Sequence, residues 1–263
     1  FRKIEANNIN TIKINMKGFK NMKKVLITGS TGFLGSELVK LLQKKYIVYG
    51  NSRTAVKKNN FKADLVKIND VKKIKENLNP DVIVHAAGIK DIKKCEDNIE
   101  YAKSLNATTV KNICKVFNNT KIIYISTDYV FSGSEGLYKE EDSPSPITNY
   151  GISKMLGEEA GMKLSPDFFK IIRTASIYCH NSSFIKFLDN MIKKDEKFES
   201  YTDCIFSPTS IYDLSMAIMT LIDKEFDNDV FHVAGKPISR YEFAKSYYEL
   251  KNANQDNIIK SKN

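Results

Sequence analysis

Tyr150 and Lys154, four apart in Tyr150-Gly-Ile-Ser-Lys154, place a phenol and an ammonium on one face of a helix. A nearby cation favours the phenolate, so such a tyrosine readily exchanges a proton with a carbonyl or alcohol oxygen. Alone, the spacing is commonplace and usually marks a surface pair. It gains weight from Ile125-Ser126-Thr127, where two hydroxyls close an apolar run that reads as a strand. The carboxyl ends of strands are where ligands bind in open α/β sheets.

A second constellation supplies a partner for that chemistry. Gly29-Ser30-Thr31-Gly32-Phe33-Leu34-Gly35 follows the strand-like run Lys24–Thr28 and leads into Leu34, Leu38, Leu41 and Leu42 at helical spacing. Glycines there permit a tight turn and the close approach of a pyrophosphate, and the helix start offers free N–H groups. A strand before, a helix after and a second strand about 20 residues on mark a dinucleotide site rather than a plain turn. That second strand runs into Gly50-Asn51-Ser52-Arg53, with no carboxylate to accept from ribose hydroxyls. Arg53 and Ser52 instead suit a 2′-phosphate, so NADPH is expected in preference to NADH.

The elements that must position these residues follow from periodicity. Strands are predicted over 24–28, 46–49, 81–85, 121–125, 168–173 and 230–234. Helices are predicted from 34 to 42, 71–78, 99–117, from Tyr150 to about Met162, and 211–222. A loop is predicted over 133–149, around Pro144 and Pro146. Strands alternating with helices predict an α/β fold, a Rossmann-type doubly wound parallel sheet.

Composition sets outer limits. The 263 residues are 42% apolar and 27% charged, which excludes a disordered chain. The formal charge of +10 concentrates near the start, where Arg2, Lys3, Lys13, Lys17, Lys20, Lys23 and Lys24 face a single acid, Glu5. Elsewhere lysines and acids interleave without a basic, aromatic-studded stripe, so no nucleic-acid target is expected. Neither an apolar run of roughly 20 residues nor a signal-peptide core is present, so a cytoplasmic, non-membrane protein is expected. Cys95, Cys114, Cys179 and Cys204 are scattered without C-x-x-C, as reduced thiols are, rather than a disulfide or metal set. His85 and His232 sit inside apolar strand runs and read as hydrogen-bonded core residues; His180 has no metal-ligand spacing.

The chain resembles the extended short-chain dehydrogenase/reductases, and among them the dTDP-4-dehydrorhamnose reductases and their sugar-nucleotide relatives. The resemblance lies in residues 29–35, His85-Ala-Ala-Gly88, Tyr124-Ile-Ser-Thr-Asp-Tyr-Val-Phe131, Tyr150-Gly-Ile-Ser-Lys-Met-Leu-Gly-Glu158, Ser207-Pro-Thr209, Asp213-Leu214, Phe231-His-Val-Ala-Gly235 and Tyr241-Glu-Phe-Ala244. It implies a catalytic set of Thr127, Tyr150 and Lys154, with Thr127 on the substrate carbonyl, Tyr150 as acid and Lys154 on the nicotinamide ribose. It implies cofactor contacts from Asp64, Leu65, Ala86, Ala87, Gly88 and Asn106, the last also a support of the active site. Substrate contacts are implied for Arg173, Thr174, Ser176 and Phe184, and Tyr138 stands where the family's sugar-stacking Trp is lost.

Thr127 is followed by Asp128-Tyr129 and lacks the Glu that related dehydratases use, so reduction is expected rather than elimination of water. The expected activity is NADPH-dependent reduction of a nucleotide-linked 4-keto-6-deoxyhexose. An NAD-dependent sugar-nucleotide epimerase and a non-catalytic NADP-binding regulatory subunit are the alternatives. The resemblance also implies an NADP-binding domain over 22–173, with 204–235 returning to it. A small C-terminal substrate-binding domain, shorter than in the family, would comprise 174–203 and 236–263, and 1–21 would be a basic extension. Homodimers are common among such relatives.

Overall fold

Successive residues of a strand face opposite sides of its sheet, and the first strand buries both sides. β1 (Lys24–Thr28) sends Val25 and Ile27 into one apolar cluster and Leu26 into another. A strand apolar on both faces belongs inside a parallel sheet covered by helices. The computed structural model describes residues 22–54 and 59–263 and has that architecture; the extension expected over 1–21 lies outside the described residues.

After β1 come α1 (Phe33–Leu42), β2 (Ile47–Ser52), β3 (Asn60–Lys62), α2 (Ile68–Asn77), β4 (Val82–His85), α3 (Ile92–Asp97) and α4 (Ile99–Lys103). Next are α5 (Thr109–Val116), β5 (Lys121–Thr127), α6 (Asn149–Leu164), β6 (Phe169–Thr174), β7 (Ile177–Tyr178) and α7 (Ser183–Lys194). The chain continues through β8 (Phe198–Tyr201), β9 (Ile205–Phe206), β10 (Thr209–Ser210), α8 (Ile211–Asp223) and β11 (Val230–Val233). It closes with β12 (Ile238–Ser239), α9 (Arg240–Leu250) and β13 (Ile258–Ser261).

The main sheet has the order β11-β6-β5-β4-β1-β2-β3, with every neighbouring pair parallel. From β1 the chain builds outward to β2 and β3, then crosses to β4 on the other side. That reversal opens a crevice at the carboxyl ends of β1 and β4. On one face Leu38 and Leu42 of α1 and Leu214 and Ile218 of α8 pack on Val25, Ile27, Val84 and Ile123. On the other, Val71 and Ile74 of α2 and Val110 and Ile113 of α5 cover Leu26, Ile83, Ile122 and Tyr124. A separate cluster joins Leu188 and Met191 of α7, Phe198 of β8, Ala244 and Tyr248 of α9, and Ile258 of β13. Among the described residues, no helix is long and apolar enough to cross a membrane.

The predicted doubly wound sheet is present, with differences of detail. The single helix expected over 99–117 is divided, because a π-helical turn, Ser104–Thr108, separates α4 from α5. β2 and β5 run on to Ser52 and Thr127, beyond their apolar stretches, because Asn51, Ser52, Ser126 and Thr127 still pair in the ladder with β3 and β6. β3, α3, α9 and the short pairs β10–β7, β12–β9 and β13–β8 are short or weakly patterned and were not foreseen, and α7 was missed although Ile185, Leu188 and Met191 recur at helical spacing.

Candidate active site

The turn after β1 requires glycine at two places. Gly29 has φ +67°, and a Cβ there would stand 2.8 Å from the Ala87 Cα; a Cβ on Gly35 would stand 2.1 Å from the Gly29 carbonyl oxygen. The Ser30 N–H and hydroxyl both donate to the Asn51 carbonyl, at 2.9 and 3.0 Å, which ties the turn to β2. α1 starts from Gly32, which has no side chain to cap the first-turn amides. They are left to an incoming acceptor, as a pyrophosphate site needs.

Gly29, Gly32, Phe33, Leu34 and Gly35 line a cleft of about 530 Å³ together with Ala86, Ala87, Gly88, Asn106, Thr127, Tyr150, Lys154, Thr174, Ser176 and Phe184. A second cavity of about 230 Å³ shares Gly29, Gly32 and residues 86–88 and extends to Thr31, Asn51, Ser52, Arg53, Asp64 and Leu65. The two form one trough across the switch point of the sheet. A glycine cradle, an uncapped helix start and a trough of this run fit an extended dinucleotide.

Two elements bring the hydroxyl-bearing groups to this trough. β5 ends at Thr127, whose Oγ1 donates to Asp128 Oδ1 at 3.0 Å and accepts from the Tyr129 N–H at 3.3 Å. α6 starts from Thr148, which accepts from the Gly151 N–H at 3.1 Å, so Tyr150 falls in the first turn and Lys154 one turn later. The Tyr150 ring meets the Tyr129 ring edge-on at 5.5 Å. Burial pushes the Tyr150 pKa up to about 12, with the Thr127 hydroxyl acting in the opposite sense. Lys154 is 6% exposed; its Nζ donates to the Ile125 carbonyl at 2.6 Å and stands 4.0 Å from the centre of the Tyr124 ring. Burial pulls the Lys154 pKa down to about 7, and Glu158 works to raise it.

The electrostatics therefore differ from the sequence expectation that Lys154 drives Tyr150 toward phenolate. The ammonium is turned onto a backbone carbonyl, and desolvation of Tyr150 keeps its proton on.

Several other expectations move. Arg173 was expected at the substrate, but its guanidinium donates to both Glu158 carboxylate oxygens, at 2.8 Å on the shorter, and it does not line the cleft. Glu158 also accepts from Ser126, so a buried acid, base and hydroxyl form a wall behind Thr127. Ser30 spends its hydroxyl on Asn51 and Asn60 rather than facing the trough. Tyr138 stacks on Phe131 with ring centres 4.4 Å apart, away from the cleft lining. Asn106 does line the cleft, and it acts as a brace: it accepts from the Ile89 N–H and donates to the Ile89 carbonyl and Ser153 hydroxyl. His85 is a buried core residue bonded to Thr28 and Thr109, and burial pulls its pKa down to about 3. His232 departs from the same reading, since among the described residues its buried Nε2 has no hydrogen-bond partner.

Sequence reasoning missed Tyr129, Tyr178, Phe206, Arg240 and Phe243, which also line the cleft. One signal was available: Ser239 and Glu242 form a capping box that starts α9 and places Arg240 and Phe243.

The parallel sheet, the switch-point trough and the glycine turn define a Rossmann-type NAD(P)-dependent oxidoreductase. The chain belongs to the family described as RmlD substrate binding domain, whose model matches residues 22–262. It is 32% identical over 238 residues to the spore coat polysaccharide biosynthesis protein SpsK of Bacillus subtilis, covering 87% of this chain and 79% of that one. It is 30% identical over 239 residues to the dTDP-4-dehydrorhamnose reductase of Aggregatibacter actinomycetemcomitans, again covering 87% and 79%. The crystal structure of dTDP-4-dehydrorhamnose reductase from Bacillus anthracis in complex with NADP superposes with a TM-score of 0.83 at 29% identity, over 92% of this chain and 85% of that chain.

Proposed function

We propose that this protein catalyses NADPH-dependent reduction of the 4-keto group of a nucleotide-linked 4-keto-6-deoxyhexose, as its dTDP-4-dehydrorhamnose reductase relatives are named for doing. The observation that carries the reading is that Thr127, Tyr150 and Lys154 open onto the same cleft as the glycine turn. When bound, the reduced dinucleotide supplies hydride to the carbonyl carbon. Tyr150 delivers the proton to the carbonyl oxygen, since the phenol is protonated at neutral pH. The Thr127 hydroxyl donates to the same oxygen as negative charge develops there, releasing its bond to Asp128. Lys154, one turn further along α6, holds the ribose next to the reacting carbon, and Thr174, Ser176 and Phe184 line the sugar's side of the cleft.

The choice of NADPH is supported by Arg53 and Ser52 in the second cavity, where β2 ends without a carboxylate. The acid nearby, Asp64, is engaged with the Val66 N–H. The cluster of α7, β8, α9 and β13 supplies the substrate-side lobe in this reading.

Titration with NADPH and NADH, followed by cofactor oxidation in the presence of a dTDP-linked 4-keto-6-deoxyhexose, tests the proposal. Tight NADPH binding with substrate-dependent oxidation is the expected outcome. Binding without oxidation of any nucleotide-linked keto sugar would overturn it in favour of a non-catalytic role.

A further inference from the structure

One part of the cleft that the glycine turn lines is built from Tyr178, Phe184, Phe206, Arg240 and Phe243. Its rings meet around Phe243, with centres 5.5 Å away for Tyr178, 5.7 Å for Phe184 and 5.6 Å for Phe206. One cation sits among them. The Arg240 guanidinium carbon lies 4.0 Å from the centre of the Phe206 ring and 5.1 Å from that of Phe184. Among the described residues its side chain has no hydrogen bond and no carboxylate partner, unlike Arg173, which is committed to Glu158. The acid next to it on α9, Glu242, is occupied at the cap, accepting from the Ser239 N–H at 3.2 Å and hydroxyl at 3.0 Å.

Stacking engages the face of a guanidinium and leaves its in-plane N–H donors unused. A planar fork of that kind matches two oxygens of a phosphate. A partly buried cation lining a cleft, with aromatic support and no counter-charge, is a site that awaits an anion. Its position selects which one. Arg240 and Tyr129 line the same cleft, and the Tyr129 ring meets that of Tyr150. The trough for the dinucleotide leads the other way, from Gly29 to Arg53.

We propose that Arg240 is the phosphate handle of the substrate pocket, held by Phe206 and Phe184 and selecting a nucleotide-linked sugar over a free one. This rests on the reading of the cleft as a nucleotide-sugar site and names the residue that enforces it.

Calorimetric titration of the enzyme saturated with NADP⁺ tests it, with dTDP and thymidine as probes and Arg240→Ala and Arg240→Gln as variants. The expected result is a roughly tenfold to hundredfold loss of dTDP affinity in both variants, the range for a lost bond to a charged group. Thymidine and NADPH affinities stay at wild-type values. Wild-type protein that binds dTDP no more tightly than thymidine would overturn the inference, as would variants that keep full dTDP affinity. A matching loss of NADPH affinity by the folded Arg240→Gln protein would assign the handle to the cofactor and overturn it too. Turnover is judged separately. Protein that binds dTDP through Arg240 yet oxidises no NADPH with a keto sugar contradicts the reductase reading alone. Full reductase activity with an unchanged KM in Arg240→Ala contradicts the phosphate handle alone.

Discussion

At Tyr150 burial and hydrogen bonding pull one proton in opposite directions, and burial wins, raising the pKa to about 12. A phenol that keeps its proton is suited to protonating an oxygen that gains charge. Tyr150→Phe should lower turnover by about 10²–10⁴-fold, the range for a lost general acid, while NADPH binding survives. Steady-state kinetics beside a cofactor titration checks both halves, and near-normal turnover would remove Tyr150 from the role. Lys154 carries a consequence for stability. Below its folded pKa of about 7 the ammonium is buried in the folded state and its desolvation opposes folding in full. Between about 7 and the ordinary value of 10.5, the unfolded chain holds a proton that the folded protein has shed, so this group's contribution to stability rises with pH. Without cofactor, the wild-type melting temperature should therefore improve relative to Lys154→Met between about pH 6 and about pH 9. A constant or shrinking difference would contradict the placement. The Tyr-Lys spacing was legible in the sequence; the direction of the Tyr150 shift was not. Desolvation and the Ile125 carbonyl that receives Lys154 come from packing distant in sequence.

At the scale of elements, α6 joins the reacting face to the buried wall behind it. Its first two turns carry Tyr150 and Lys154, and further along Glu158 meets Ser126 on β5 and Arg173 on β6. Both ions of the pair are nearly enclosed, with side-chain exposures of 6% and 5%. Removing one partner strands the other, so Arg173→Met should cost about 3–5 kcal/mol in urea unfolding. A loss below about 1 kcal/mol, as for an exposed pair, would show that the wall is not sealed. The apolar run Ile122–Ile125 announces β5, and its position in the sheet follows from the βαβ pattern. The partner of Arg173 is not announced, because a carboxylate 15 positions earlier on a helix meets it only after β5, β6 and α6 have assembled. The π-helical turn around Asn106 was hidden for a similar reason: its bonds to Ile89 and Ser153 reach across two other segments.

Over the whole molecule, one trough crosses the carboxyl edge of the sheet from Arg53 to the aromatic wall of α9, and the chemistry lies between its ends. In the proposed reading, the end at Arg53 sets cofactor choice. Arg53→Ala should weaken NADPH binding several-fold more than NADH binding, since only the former carries the 2′-phosphate. Equal losses by fluorescence titration would remove that assignment. The sheet and the glycine turn were readable because each is local in sequence and strongly patterned. The far wall was not, because Phe206, Arg240 and Phe243 lie on a short strand and a helix that periodicity leaves faint.

Net reduction at the sugar's C4 leaves its mark in the fate of the transferred hydrogen. NADPH deuterated at the transferring position of the nicotinamide would be turned over with a dTDP-linked 4-keto-6-deoxyhexose, and the isolated sugar nucleotide examined by mass spectrometry and NMR. Deuterium retained at C4 of the product is expected, with an equal amount of cofactor left oxidised. Sugar that is altered in stereochemistry but carries no deuterium, with the cofactor unchanged, would contradict it.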